Sequence, residues 1–182
     1  MSFEATIQRF IEARRVLHFS KMTLKSCRYN LQRFARWCQD RGIQKPDEVS
    51  RPIVEAYQRW LFHYRKIDSR PLKLETQQQR LVAVRVFYQW LVKSGHLAHD
   101  PTSVLELPKK PERLPSSVLT LEEVERVIDQ ADIECPSGLR DRAIMETLFS
   151  TGIRRQEAIG LQINDLNLEE ETLWIHQGKG GK

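Results

Sequence analysis

Thr151-Gly152-Ile153-Arg154-Arg155-Gln156-Glu157, running on through Ala158-Ile159-Gly160-Leu161 and closing at Asp165-Leu166, is the stretch on which the reading of this 182-residue chain turns. It reads as the end of one buried helix, a glycine turn and a second short helix. Gly152 supplies the positive φ that a helix C-terminus often takes, which frees the next segment to start in a new direction. Arg154 then falls at a fresh helix N-terminus, where unpaired N–H groups and the positive end of the dipole favour an anion. That is a phosphate site in outline. The same spacing also describes a surface arginine with Glu157 as its i, i+3 neighbour, a common and weak pair, so spacing leaves both readings open.

Working outward, the charge divides unevenly. Met1 to Arg113 carries 22 Lys and Arg against 11 Asp and Glu, a balance of +11, whereas Leu114 to Lys182 carries 7 against 13, or −6. The basic half is the candidate partner of a polyanion, although a basic balance also describes a well-solvated surface. A 29% share of charged residues is too polar for a membrane protein. No apolar run approaches the roughly 20 residues of a membrane span and no signal-peptide core opens the chain, so the expected location is cytoplasmic. Cys27, Cys38 and Cys135 show no paired spacing, which leaves neither a disulfide framework nor a zinc site; no metal or cofactor is expected.

Along the basic half the periodicity predicts four helices. Phe3, Ile7, Phe10 and Ile11 define the first, to about Val16. Thr23 is the expected cap of the second, with Leu24, Cys27, Leu31, Phe34 and Cys38 inward; Phe34 and Trp37 read as packing residues. Its other face carries Lys25, Arg28, Arg33 and Arg36, a solvated face or one that lies along a DNA groove. Ser50 and Pro52 open the third, with Ile53, Tyr57, Trp60, Leu61 and Tyr64 inward. Thr76 heads the fourth, which ends near Gly95; its leading turn of Gln77, Gln78, Gln79 and Arg80 suits base edges or plain solvent. Residues 107–115 hold three prolines with Lys109, Lys110 and Arg113 and read as an extended linker. Beyond it, Thr120 caps a helix with Leu121, Val124, Val127 and Ile128 inward. That helix runs to about Ala131, Cys135 to Gly138 breaks it, and Leu139 to Ser150 forms a second helix with Leu139, Ala143, Ile144, Thr147 and Leu148 inward. Residues 165–171 make an acidic turn and Thr172 to His176 a strand.

Thr-Gly-Ile-Arg-x-x-Glu-Ala-x-x-Leu-x-x-x-Asp-Leu, followed by Gly178-Lys179-Gly180-Gly181-Lys182, resembles the first half of the catalytic domain of tyrosine recombinases, the Xer and phage-integrase superfamily. The four upstream helices, ending at Asp100-Pro101, resemble that family's core-binding domain. The resemblance implies a mainly α fold. It has a SAM-like core-binding bundle of four to five helices over residues 1–105, a linker over 106–116, and over 117–182 the mostly helical opening of an α+β catalytic domain that ends in an incomplete β-hairpin. It implies strand cleavage through a 3′-phosphotyrosine without a metal, on a double-stranded recombination site, by recombinase subunits that assemble as a tetramer across two DNA sites. Arg154 would clamp the phosphate, Glu157 would orient Arg154, and Lys179 would protonate the leaving 5′-oxygen. Lys25, Arg28, Arg33, Arg36, Gln77, Gln78, Arg80, Lys109 and Lys110 would contact DNA.

The family continues with a third strand, His-x-x-Arg and a nucleophilic Tyr. Here the tyrosines are Tyr29, Tyr57, Tyr64 and Tyr88, all upstream, and His176 precedes the hairpin turn and is followed at the third position by Lys179. The chain therefore reads as truncated inside the catalytic domain and inactive alone. The alternative is a short DNA-binding protein that modulates or blocks a full-length recombinase. A returning strand is also missing, which would leave Thr172 to His176 without a sheet partner.

Overall fold

Ser2 opens the first helix, α1 (Phe3–Val16), by accepting from the Ala5 N–H at 3.4 Å. The computed structural model describes residues 1–109 and 118–176 and divides the chain into two compact units, Met1–Glu112 and Arg113–Lys182. In the first unit α1 is followed by α2 (Lys21–Gln39), α3 (Arg51–His63) and α4 (Leu74–Lys93). The helix α4 is the hub, with α1, α2 and α3 all packed on it.

The predicted stripes meet in one core. Phe3, Ile7, Phe10 and Ile11 of α1, Leu31 and Phe34 of α2, Tyr57 and Leu61 of α3, and Leu81, Val84, Phe87, Tyr88 and Leu91 of α4 are fully buried. Each such side chain contributes roughly 1.5–3 kcal/mol by leaving water. Phe34 sits at the centre, 4.9 Å from the Tyr57 ring and about 6 Å from those of Phe3, Trp37 and Tyr88.

Two helix starts differ from the sequence expectation. Ser20, not Thr23, caps α2: its Oγ accepts from the Thr23 N–H at 3.2 Å. The α4 helix begins at Leu74, two residues before Thr76, because Lys73 already accepts from the Thr76 and Gln77 amides. After α4, Gln58 donates to the Glu106 carbonyl at 2.8 Å, Arg85 donates to Leu105 and Gln78 to Pro108. The described start of the expected linker is thus strapped to α3 and α4. Residues 110–117, which hold the rest of the expected linker, lie outside the described residues.

The second unit holds α5 (Leu121–Ile128), α6 (Pro136–Thr151), α7 (Arg155–Ile159), a 3₁₀ turn (Ile163–Asp165), β1 (Leu166–Asn167) and β2 (Thr172–Leu173). Thr120 and Glu123 cap α5 reciprocally, at 2.9 and 3.3 Å. Arg142 of α6 pairs with both Asp129 and Glu146 at 3.4 and 2.8 Å, which ties α6 to the end of α5. The break between α5 and α6 falls earlier than residues 135–138: Cys135 is the N-cap of α6, Pro136 its first residue, and Gly138 lies in the first turn against the Asp132 backbone.

The strand expectation is also corrected. Only Thr172–Leu173 is paired, antiparallel to Leu166–Asn167 (Leu166↔Leu173, Asn167↔Thr172), so the segment read as an acidic turn supplies the partner strand. The inward face expected of α5 and α6 is open: Leu121, Val127, Leu139 and Ile144 are exposed. Among the described residues of this unit Ile128 is the buried hydrophobic, because three short helices and a two-rung hairpin provide no second layer over α6.

Candidate catalytic and DNA-binding site

Gly152 ends α6 in the left-handed region, φ +66°, with its N–H on the Leu148 carbonyl at 3.0 Å. That bend sets Arg154 as the N-cap of α7 with extended backbone. Glu157 then holds Arg154 twice: its Oε2 accepts from the Arg154 N–H and its Oε1 from Arg154 Nη1, both at 2.8 Å. The Glu157 side chain is 9% exposed and that of Arg154 66%. A nearly buried carboxylate therefore fixes the direction of a guanidinium that stays open to solvent. Glu157 takes up Nη1, and the Nε–Nη2 edge makes no hydrogen bond among the described residues. That edge is the flat two-donor face that matches two oxygens of a phosphate. The helix α7 has only five residues. The site accordingly rests on Arg154 and not on the α7 dipole.

Beside this pair a groove of about 500 Å³ runs past Glu157, Gly160, Gln162, Asp165, Trp174 and His176. The sequence did not single out the hydrogen-bonded pair on its wall, Asp165 and His176. Asp165 Oδ1 meets His176 Nε2 at 2.6 Å, and Asp165 Oδ2 accepts from the Gln162 N–H at 2.8 Å. The Gln162 hydrogen bond, aided by His176, holds the Asp165 carboxyl below its usual range. The two residues are 11 apart, and what joins them is the β1–β2 pairing together with the Trp174 N–H on the Asp165 carbonyl at 2.9 Å. Only the closing Asp165-Leu166 of the motif hinted at one partner. Lys179 lies outside the described residues.

The expected DNA-binding residues separate into groups. Lys25 and Arg36 are exposed on α2, Arg28 is half-buried on the same helix, and Lys109 is exposed after the strap. A 19-residue helix is on the order of 28 Å long, enough to follow a groove across most of a turn. Arg33 is half-buried, donates to the Tyr29 hydroxyl at 3.3 Å and lies over its ring. The leading turn of α4 does not reach outward as expected. Gln77 is buried and its amide donates to the Leu72 carbonyl at 3.0 Å, Gln78 is occupied by Pro108, and Arg80 is buried. The helix starts three residues earlier than the cap signal suggests, and Gln77 and Arg80, one helical turn before the buried Leu81 and Val84, continue the inward stripe of the bundle. Lys110 lies outside the described residues. No group of His, Cys, Asp and Glu among the described residues is arranged to hold a metal, and no described helix is long and apolar enough to cross a membrane.

Residues 117–182 match the model of the phage integrase family, and residues 6–95 match that of the phage integrase N-terminal SAM-like domain. The chain is 42% identical over 171 residues to tyrosine recombinase XerC 2 of Ralstonia nicotianae, an alignment covering 94% of this chain and 49% of that protein. It is 32% identical over 177 residues to tyrosine recombinase XerD of the same organism, covering 97% of this chain and 54% of the relative. Among solved structures, the integrase from mycobacterium phage Brujita aligns with a TM-score of 0.48 at 20% identity, over 96% of this chain and 54% of that one. The chain spans about half the length of the curated relatives it matches.

Proposed function

Since the chain belongs to the phage-integrase family of tyrosine recombinases, we propose that it supplies the DNA-binding bundle and the first phosphate clamp of a site-specific recombinase. Residues 1–105 act as the core-binding domain, 106–116 as the linker and 117–182 as the catalytic segment. The substrate is a double-stranded recombination site, worked on by several recombinase subunits together, and the place of action is the cytoplasm.

The observation that carries this reading is the hold of Glu157 on Arg154, which fixes an exposed guanidinium by two 2.8 Å hydrogen bonds. In phosphoryl transfer the nonbridging oxygens gain negative charge at the transition state, and a donor pair already aimed there needs no reorganisation as the charge develops. The Nε–Nη2 edge of Arg154 fills that role, Glu157 positions it, and Lys179 protonates the leaving 5′-oxygen. Lys25, Arg28, Arg36, Lys109 and Lys110 neutralise backbone phosphates. Gln77 and Gln78 drop out of this set because their amides serve the fold.

The test is covalent trapping on a nicked suicide substrate. The chain's tyrosines all lie in the helical unit, with Tyr57 and Tyr88 fully buried. The 182-residue chain should therefore form no adduct. Joined to a segment carrying the family's His-x-x-Arg and Tyr it should do so, and Arg154→Ala should then lower cleavage by about 10²- to 10³-fold with DNA affinity little changed. An adduct formed by the 182-residue chain alone would make an upstream tyrosine the nucleophile and overturn these roles.

A further inference from the structure

Five side-chain polar atoms among the described residues are buried without a hydrogen-bond partner: Arg33 Nε, Trp37 Nε1, Tyr57 Oη, and Nε and Nη1 of Arg80. Every one carries a hydrogen to donate. They belong to one place. The Trp37 and Tyr57 rings are 5.1 Å apart, and the groups acting electrostatically on Arg80 are Arg33, Tyr57, Tyr29 and Tyr64. None of these is a carboxylate, and neither Arg33 nor Arg80 makes a salt bridge among the described residues. Arg80, on α4, is only 6% exposed. Arg33, on α2, borders an open cavity of about 430 Å³ that Tyr29, Arg36, Trp37, Trp60 and Tyr64 also wall. Asp40 stands on the same wall, yet it is not among the groups that act on either arginine.

Two neighbouring guanidiniums with three unanswered nitrogens and no anionic partner among the described residues form an arrangement that costs stability unless an acceptor arrives. A neutral acceptor would satisfy the donors but not the paired charge. We propose that the recess between α2 and α3, with Arg80 of α4 beside Arg33, is a binding site for one phosphate-class oxyanion, gripped by Arg33 and Arg80, with the Tyr57 hydroxyl and the Trp37 indole as further donors. The electrostatics of Arg80 agree. Burial, then the neighbouring Arg33, pulls the Arg80 guanidinium below its ordinary value against the tyrosines. For Arg33 burial also pulls down, but hydrogen bonds with Tyr29 and Tyr64 outweigh it and the net shift is upward. The occupant is either a DNA backbone phosphate that reaches in through the cavity or a free oxyanion. This site stands independently of the catalytic reading, since it lies wholly in the helical unit.

The experiment follows the arginine Nε–Hε resonances of the ¹⁵N-labelled 182-residue chain while inorganic phosphate replaces chloride at constant ionic strength. Two of them, assigned with Arg33→Lys and Arg80→Lys, should shift and saturate. Each substitution should weaken phosphate binding roughly ten- to a hundredfold, as expected for loss of a charged hydrogen bond. Duplex DNA is then added. If it moves the same two resonances and expels phosphate, the occupant is a backbone phosphate; if it binds and leaves phosphate in place, the occupant is a free oxyanion. No saturable movement of either resonance with phosphate or with DNA overturns the proposal. So does an Arg80→Met chain that is less stable than the parent without phosphate, since Arg80 would then be a satisfied structural group.

Discussion

Asp165 shows how a single residue can lock a turn. Its carboxylate accepts from the Gln162 N–H and from His176, and its carbonyl accepts from Trp174, so three short segments meet on one side chain and its backbone. The Gln162 contact first, and His176 after it, depress its folded pKa. A depressed carboxylate stabilises the fold above the unfolded value, near 3.9, and that contribution is lost as the pH falls through the folded value. We expect the Trp174 indole resonance to keep its folded position at neutral pH and to move toward its unfolded position in acid below about pH 4. In Asp165→Asn the resonance should be displaced already at pH 7 and show no acid step. Glu157→Gln keeps one acceptor for Arg154 but loses its charge. In the chain joined to a segment carrying His-x-x-Arg and Tyr it should cost less than Arg154→Ala in the trapping assay, as befits orientation rather than contact.

Caps and close approaches decide the elements. Gly138 sits where a Cβ would come 1.9 Å from the Asp132 carbonyl oxygen, a backbone atom that cannot swing aside. Gly138→Ala should lower stability in urea by about 1–3 kcal/mol, the usual cost of forcing an extra carbon into a packed contact. Gly42→Ala meets nothing within 4 Å, so its cost comes from its φ of +81° alone and should stay near 1 kcal/mol. Thr120→Ala removes half of the reciprocal cap on α5 and should cost about 1 kcal/mol, read as faster amide exchange at Glu122 and Glu123. On α2 the exposed basic face should make DNA binding salt-dependent, with each neutralised phosphate adding about −0.9 to the slope of log K against log salt. Removing Lys25 and Arg36 together should flatten that slope by about two such units; an unchanged slope would place the DNA elsewhere.

The two units differ in how completely each buries its own apolar surface. Every member of the hydrophobic core cluster lies between Phe3 and Leu105. A fragment covering residues 1–109 should therefore unfold cooperatively on its own. Phe34→Ala, made at the centre of four aromatic neighbours, should cost it about 3–5 kcal/mol in denaturant. A fragment covering residues 118–176 presents the opposite case. With Leu139, Ile144 and Phe149 of α6 exposed, it should bind a hydrophobic dye and exchange its amides quickly, and strong protection in α6 would contradict that expectation.

The four helices of the basic half were legible because a stripe of large apolar residues at helical spacing has one stable answer, burial against other such stripes. The Arg154 and Glu157 pair was legible for the same reason, since a glycine turn and an i, i+3 spacing are local. The sequence by itself therefore determined the family, the bundle and the position of the Arg154 and Glu157 pair. Tertiary structure alone decided which polar residues the fold takes up: Gln77 and Gln78 brace loop carbonyls, and Arg80 is buried although its turn reads as solvent-facing. It alone joined Asp165 to His176, brought Arg33 near Arg80, and left exposed the α5 and α6 positions that periodicity turned inward. The reason is physical. Periodicity states which face of a helix is apolar, but whether that face is covered, and what a polar neighbour meets there, depends on elements far away in the chain.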